Sequence, residues 1–491
     1  MVKCGLQNNI PIIQLNMKKN LLTILMVLFC AVGVQAAKID KIVNLVSGGE
    51  NRSYRLYVPN NVQANAPLVV SLHGANGNQW GNMPMRTSVA DEEGFIVVYP
   101  QGRVVDFYLA HMNTTGWDAS GEENEDVDFI KAIIEDVAKD YSIDRRRIYC
   151  CGFSNGGMMT YALSNTCSEI FAAFASISGF PMNEFHFRHT GARPVPFLHI
   201  HGKADDFVKY SLMPVIVDEM VARVGANPVP VKTSVSGKYD KSVYEAGEGG
   251  FPYVYYEIDG MGHNAGTNKT PEGLSMSDDI PEDQKTGSAK TMWNFFEQYT
   301  LDVPCDKTLK WRPRLETEGY NPKEHGWYVN MSKYLLYFGK DVRKTDNSDN
   351  NVYRSLQMDK GNYKLCFHAD GEAGKTVAVT MKKISGTGAK PTVLDAIVEV
   401  GKDVVLPFRV EDGYGEYRLI MSRSLATDAI AITNLALYTA TEEEVTAVES
   451  PIAPSSAAAY YSLTGVASAL PQRGVNLVRD EYGDVRKVWV K

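Results

Sequence analysis

Ser154 stands at the centre of Gly152-Phe153-Ser154-Asn155-Gly156, a Gly-x-Ser-x-Gly pentapeptide. The run before it, Arg147-Ile148-Tyr149-Cys150-Cys151, is apolar and strand-like, and the run after it, Met158-Met159-Thr160-Tyr161-Ala162-Leu163, is helix-like. A serine on so sharp a strand-to-helix turn needs almost no side chain two positions to either side, which Gly152 and Gly156 provide. Such a turn lifts the hydroxyl clear of a sheet and sets it at a helix N-terminus, where backbone N–H groups stabilise a developing oxyanion. The chemistry is nucleophilic attack on a carbonyl, and it requires a base and a carboxylate that orients the base. His263, in Asp259-Gly260-Met261-Gly262-His263, leaves the strand-like run Tyr253–Ile258 on a glycine-rich loop, as such a base would. Asp205 follows the buried-strand pattern Val195–Ile200, at the C-terminal end of a strand, where catalytic groups collect in open α/β sheets. Asp206, next to it, is the competing acid.

An oxyanion needs two N–H donors. Asn155, directly after the nucleophile, supplies one. The loop His73-Gly74-Ala75-Asn76-Gly77, after the apolar run Pro67–Leu72, supplies the other, assigned to Ala75 with Gly74 and Asn76 as neighbouring alternatives. His73 reads as a buttress of that loop, His199 as a core residue or one that supports the site from behind, and His201 as a loop-structuring one. His186 and His189 fall in a loop that could border the site, but no spacing commends either as base. Trp80 and Trp117 lie on loops from which they could stack on a sugar or an aromatic acyl group, although ordinary packing explains either as well. The nine histidines include no metal-ligand spacing such as His-Glu-x-x-His, so neither a metal nor an organic cofactor is expected.

Around these residues the chain is ordinary globular material: 491 residues, 44% of them hydrophobic, with a formal net charge of −8. That length suits two or more domains, and the mild acidity argues against nucleic acid as a partner. Met17-Lys18-Lys19-Asn20, the apolar stretch Leu21–Cys30 and then Val34-Gln35-Ala36 give a basic region, an apolar region and a small-residue cleavage site. This is the pattern of a secretory signal peptide, with residues 1–16 expected to be an over-called start. The apolar stretch is short for a membrane span, so none is expected to remain after cleavage. Cleavage would leave Cys150, Cys151, Cys167, Cys305 and Cys366, an odd and scattered set that forms no disulfide framework and allows no pairing to be assigned.

From residue 37 to 302 strand and helix patterns alternate. Eight strand candidates fall at residues 42–46, 53–58, 68–72, 95–99, 147–151, 172–177, 195–200 and 253–258. The clearest helix is Asp126–Tyr141, with Val127, Ile130, Ile134, Val137 and Tyr141 recurring at three and four; weaker ones are 215–224 and 289–299. Eight strands, with serine after the fifth, acid after the seventh and histidine after the eighth, match an α/β-hydrolase fold: a mostly parallel sheet with flanking helices. Residues 303–442 change to alternating runs broken by Gly/Asp/Lys turns, which predicts an all-β sandwich, jelly-roll-like. Its functional reading is a carbohydrate-binding module with Trp311, Trp327, Tyr328 or Tyr334 to Tyr337 as stacking candidates; its competing reading is a structural domain whose aromatics are core. Residues 443–491 read as an Ala/Ser/Pro-rich linker and a short β-rich tail.

Taken together, Leu72-His73-Gly74, Tyr99-Pro100-Gln101-Gly102, Glu125–Ile130, Asp144–Tyr149, Gly152–Met159, His201-Gly202-Lys203-Ala204-Asp205 and Gly262-His263 resemble the secreted feruloyl and acetylxylan esterases of the first carbohydrate-esterase family, relatives of polyhydroxybutyrate-depolymerase-like esterases. The resemblance covers roughly residues 50–300. It implies Ser154, Asp205 and His263 as a catalytic triad, hydrolysis of feruloyl or acetyl esters on plant cell-wall xylan, and no cofactor. The chain departs from the family at Asp206 and Lys209, where many relatives carry proline, and so has two adjacent acids. Polyhydroxyalkanoate depolymerisation or peptide hydrolysis on the same fold is the alternative activity, and a non-catalytic surface glycan-binding protein is the alternative class. The tail resembles the C-terminal sorting segments of exported Bacteroidota proteins, with Asn476 where an aromatic or aliphatic residue is usual. This implies secretion or display at the surface of a Gram-negative bacterium, with the periplasm as the other compartment.

Overall fold

In the computed structural model the described residues are 37–81, 83–107, 112–121, 124–182, 192–264, 287–318, 320, 325, 327–331, 336–338, 349–386, 388–423, 430–449, 459–461, 467–468, 474–479 and 485–490. The expected signal segment, His186 and His189 lie outside them. The described chain divides into two compact units, the first holding residues up to 182, 194–220 and 230–305, the second holding 192–193, 221–229 and residues from 306 on.

The first unit contains the strands β1 (Ile39–Ser47), β2 (Glu50–Val58), β3 (Ala66–Leu72), β4 (Ile96–Pro100), β5 (Arg103–Phe107), β6 (Met112–Gly116), β7 (Ile143–Phe153), β8 (Ala173–Ile177), β9 (Phe197–Gly202), β10 (Val231–Val235), β11 (Tyr239–Tyr244) and β12 (Tyr253–Ile258). Ten of them form one mixed sheet in the order β1-β2-β4-β3-β7-β8-β9-β12-β11-β10, while β5 and β6 make a separate hairpin. The six strands from β4 to β12 pair parallel, and the pairs at either end are antiparallel. Parallel strands are covered on both faces and read as unbroken apolar runs. Every residue of β3, β4, β8 and β9 is buried. The sheet therefore has ten strands and not the expected eight. The two missed strands, β10 and β11, are polar: Val231–Val235 carries Lys232, Thr233 and Ser234 at the sheet edge, where no hydrophobic run marks it.

Among the described residues five helices accompany this sheet: α1 (Thr87–Glu93), α2 (Glu125–Asp140), α3 (Asn155–Thr166), α4 (Met213–Val224) and α5 (Gly287–Phe296). Val89 and Ala90 of α1 and Met292, Trp293 and Phe296 of α5 share a core with Val69, Val97, Tyr149, Cys151, Ala175 and Ile200. The alternate residues of the same strands point the other way. There Tyr161 of α3 stacks on Phe197 with ring centroids 4.6 Å apart. α2 begins one residue before the expected Asp126, and Asn124 caps it: the side-chain oxygen accepts from Asp126 N and Val127 N at 3.0 Å each.

The second unit contains β13 (Leu309–Trp311), β14 (Tyr328–Met331), β15 (Leu336–Phe338), β16 (Asp349–Met358), β17 (Gly361–Gly371), β18 (Thr376–Gly386), β19 (Thr392–Glu399), β20 (Lys402–Val410), β21 (Gly415–Arg423) and β22 (Ile430–Thr439). They form two five-stranded sheets, β13-β22-β17-β20 with β15 beside β22, and β14-β16-β21-β18-β19. Alternate residues of both, such as Leu365 and Phe367 on one and Val379, Met381 and Leu419 on the other, meet in one core. Trp311 and Trp327 belong to that core, which withdraws both as glycan-stacking candidates. The side chains of Tyr328 and Tyr334 to Tyr337 lie outside the description. The expected linker begins with a helix, α6 (Glu442–Glu449). Thr441 and Glu444 close a reciprocal capping box, Thr441 N donating to Glu444 Oε2 at 2.8 Å and Glu444 N to Thr441 Oγ1 at 3.2 Å, a start signal that the Thr-Glu-Glu-Glu sequence carries. In the tail, β23 (Ala459–Tyr461), β24 (Ala467–Ser468), β25 (Gly474–Arg479) and β26 (Val485–Val490) form a four-stranded sheet.

Candidate active site

Ser154 links β7 to α3 with φ 53° and ψ −119°, a conformation that a side-chain-bearing residue adopts only when its surroundings force it. The forcing is steric. A Cβ on Gly152 would come within 2.0 Å of Gly156 O, and one on Gly156 within 2.4 Å of Leu72 O, so the turn closes only with glycine at both positions. Ser154 N donates to Ile177 O of β8 at 2.9 Å, which pins the elbow to the neighbouring strand.

The sheet order places the ends of β7, β9 and β12 near one another, and the loops there bring three side chains together. His263 Nε2 lies 2.8 Å from Ser154 Oγ, and His263 Nδ1 lies 2.9 Å from Asp205 Oδ2. An ionised carboxylate only accepts, so Nδ1 carries the ring proton and Nε2 is left to accept from the serine hydroxyl. The other carboxylate oxygen, Oδ1, accepts from Phe207 N at 3.1 Å and Val208 N at 2.9 Å. Burial pushes the Asp205 carboxyl up, but the hydrogen bond from His263 and the attraction of that ring outweigh it, and its pKa ends below the ordinary carboxylate value. Asp206 points to solvent. The acid and base loops are also stitched together: Lys203 N donates to Ile258 O and Ala204 N to Met261 O, both at 3.0 Å. A Cβ on Gly202 would lie 2.0 Å from Met261 O, so this junction requires glycine.

The loop after β3 packs on the nucleophile, since a Cβ on Gly74 would stand 3.3 Å from Ser154 Cβ. Asn76 N donates to Thr115 O at 2.8 Å and is thereby removed as an oxyanion donor, leaving Ala75 or Gly74 opposite Asn155. His73 holds this loop. Its Nδ1 donates to Gly74 O at 2.7 Å and its Nε2 accepts from Gly102 N at 2.9 Å, a pattern only the neutral ring satisfies. Burial accordingly lowers its pKa to about 4. Trp117 is 2% exposed, donates its indole N–H to His73 O at 2.9 Å, and is no stacking surface for a ligand. Trp80 is 55% exposed, with the Arg55 guanidinium 4.2 Å over its ring.

Two features of the site had no place in the sequence reading, and a third extends the loop-structuring reading of His201. The buried Asn155 side chain clamps the Trp117 backbone, accepting from Trp117 N at 2.7 Å and donating to Trp117 O at 3.2 Å. Two phenyl rings lean on the His263 imidazole, Phe153 and Phe207, each with its centroid 4.9 Å away. Tyr161 OH, His199 and His201 form a buried chain with contacts of 2.7 and 3.1 Å that ends on Val208 O at 2.9 Å. Only the last had a readable signal: His199 and His201 alternate on β9 and so share a face. Among the described residues no group of three or more His, Cys, Asp or Glu side chains is placed to hold a metal ion. The five described cysteines are all free.

Residues 55–226 match a family model described as phospholipase/carboxylesterase. The chain is 31% identical over 272 residues to a bifunctional acetylxylan esterase/xylanase from Neocallimastix patriciarum, covering 52% of this chain and 34% of that protein. It is 30% identical over 152 residues to feruloyl esterase B from Thermothelomyces thermophilus, covering 29% of this chain and 50% of that one. The chain thus spans between a third and a half of these relatives' length. Among solved structures, the acetyl xylan esterase from Aspergillus awamori aligns with 46% of this chain and 94% of its own, at 19% identity and a TM-score of 0.38.

Proposed function

We propose that this chain is a secreted serine carboxylesterase that removes feruloyl or acetyl groups from plant cell-wall xylan. The observation that carries the catalytic reading is His263, held between Ser154 Oγ at 2.8 Å and Asp205 Oδ2 at 2.9 Å in the tautomer that base catalysis needs. Ser154 Oγ attacks the ester carbonyl carbon while its proton passes to His263 Nε2. The carbonyl oxygen becomes an oxyanion, assigned to Asn155 N and to Ala75 N or Gly74 N, and Asp205 stabilises the imidazolium. The intermediate then expels the sugar alkoxide, which takes the proton from Nε2, and leaves an acyl-Ser154 ester. Water, activated by the same histidine, hydrolyses that ester and restores the serine.

The likeness to proteins named acetylxylan esterase and feruloyl esterase supports the substrate class. The basic and apolar pattern of residues 17–36 supports export, and among the described residues no helix is long and apolar enough to cross a membrane. The test is a panel of feruloylated arabinoxylan, acetylated xylan, polyhydroxybutyrate and a peptide, run with wild type and Ser154→Ala. Turnover of a xylan ester that Ser154→Ala abolishes is the expected result. Turnover confined to polyhydroxybutyrate or peptide overturns the substrate class. Folded wild type that no organophosphate labels at Ser154 overturns the catalytic reading.

A further inference from the structure

Resting on the esterase reading of Ser154 and His263, we infer that Phe207 is the docking face for the alcohol half of the ester, a sugar ring, and so determines specificity for glycosyl over simple alkyl esters. An isolated exposed apolar side chain is ordinary; the position of this one is not. Phe207 is 46% exposed, and its ring leans on the His263 imidazole at 4.9 Å with a 47° tilt. The other ring on that imidazole, Phe153, is 7% exposed and belongs to the core. The imidazole thus has one apolar neighbour committed to packing and one presented to solvent.

The chemistry of the second half-step says what meets that ring. His263 Nε2 returns its proton to the leaving oxygen, so the departing alcohol must stand within hydrogen-bond distance of the imidazole edge. The carbonyl oxygen belongs to the oxyanion donors, and of the two remaining substituents on the carbonyl carbon only the alcohol oxygen must approach that nitrogen. A solvent-facing aromatic ring against the imidazole therefore borders the alcohol. One face of a pentose ring is a patch of C–H groups that packs on an aromatic surface, whereas methanol is too small to cover it. Placement is also fixed. Phe207 N donates to Asp205 Oδ1 at 3.1 Å, and Val208, the next residue, is buried and donates to the same oxygen. The carboxylate that orients the base thereby holds the backbone of the residue that would recognise the leaving group, and both keep their relation to Ser154 through His263.

The experiment compares two esters with one acyl group and different alcohols: methyl ferulate and a feruloylated arabinoxylo-oligosaccharide, or ethyl acetate and acetylated xylotriose if the wild type prefers acetyl. The readout is the ratio of kcat/KM for the glycosyl ester to that for the alkyl ester, in which any general effect on the base cancels. Phe207→Ala is expected to lower this ratio by about tenfold, mainly through KM for the glycosyl ester, and Phe207→Trp to keep or raise it. Should Phe207→Ala fold poorly, Phe207→Leu keeps the apolar bulk without the flat ring and is expected to lower the ratio by at least threefold. A ratio unchanged in the folded variants, with the wild type active on both esters, overturns the assignment of Phe207 alone. A folded wild type inactive on every ester tested overturns the esterase reading and this inference with it.

Discussion

Asp205→Asn separates the two adjacent acids, and the hydrogen bonds around the carboxylate set the size of the effect. An asparagine at 205 has two orientations. In the first its oxygen replaces Oδ1 and keeps the bonds from Phe207 N and Val208 N, so its NH2 group faces His263 Nδ1. Nδ1 must then accept, the ring proton moves to Nε2, and Nε2 can no longer take the proton of Ser154. The flipped orientation keeps the productive tautomer but sets the NH2 group against two backbone donors. Leaving the buried Val208 N and the partly buried Phe207 N unpaired costs at most about 1–3 kcal/mol each, or roughly 2–6 kcal/mol together. At about 1.36 kcal/mol per factor of ten, the productive orientation is depleted by about 30-fold to a few times 10⁴-fold. Loss of the negative charge beneath the imidazolium moves the result toward the upper end, where an Asp→Asn triad variant of a serine protease falls, on the order of 10⁴-fold. Asp206 is exposed, and a substitution there changes free energies by about 0.5 kcal/mol or less, which keeps kcat within about threefold. The assay is kcat on a soluble ester at near-neutral pH, normalised to sites titrated with an organophosphate, with circular dichroism as the check on folding. Retention of more than a tenth of wild-type kcat by folded Asp205→Asn refutes the reasoning, as does a larger loss in Asp206→Asn.

Two further outcomes concern stability. Asn124→Ala removes the cap that satisfies Asp126 N and Val127 N, and should cost about 1 kcal/mol by denaturant titration; no shift in midpoint would mean that the end of α2 finds other acceptors. His73 has an ordinary pKa of 6.5 and about 4 in the fold, so between those values the unfolded chain binds a proton that the folded chain does not. The stability it contributes is therefore present above pH 6.5 and is lost as pH falls toward 4, by about 3 kcal/mol from this residue. His199 and His201 shift the same way through burial and steepen the loss. Thermal unfolding midpoints that stay flat over this window would contradict it.

What the sequence showed plainly were features carried by sterics and burial. Gly152 and Gly156 are legible because no other residue fits their contacts, and the central strands because parallel strands covered on both faces admit little but apolar residues. Polar edge strands are another matter. Val231–Val235 is held by its ladder to Tyr239–Tyr244, and a backbone ladder leaves no side-chain pattern. Trp117 shows the limit at the site itself. A tryptophan on a loop beside the nucleophile suggests stacking, yet its indole N–H has a buried acceptor in His73 O and its backbone is gripped by Asn155. Loop position says little about which way a large ring turns; a buried polar partner decides it. The side-chain role of Asn155 was hidden for the same reason, since its partner lies 38 residues away in the chain.

The buried histidines explain how one carboxylate can serve one base. Val208 O can only accept, so His201 Nε2 must donate to it, and His201 Nδ1 is then an acceptor. His199 Nε2 donates to that nitrogen, and His199 Nδ1 accepts from Tyr161 OH. Each ring nitrogen along the chain is satisfied with both imidazoles neutral, and with His199 Nε2 donating, a second proton on His201 Nδ1 would set donor against donor. Burial pushes in the same direction, lowering the pKa of both rings. This matters because His201 Nε2 lies only 3.6 Å from Asp205 Oδ2, the oxygen that faces His263. A charged His201 would draw on the negative charge that must stabilise His263 when it takes the serine proton. With His201 neutral and its proton directed to Val208 O, that charge is left to His263. Because β9 sets alternate residues on one face, His199 and His201 lie side by side beneath the loop they hold, and Val208 is both the end of their chain and a donor to Asp205. The acid is thus fixed from below by groups that carry no charge of their own.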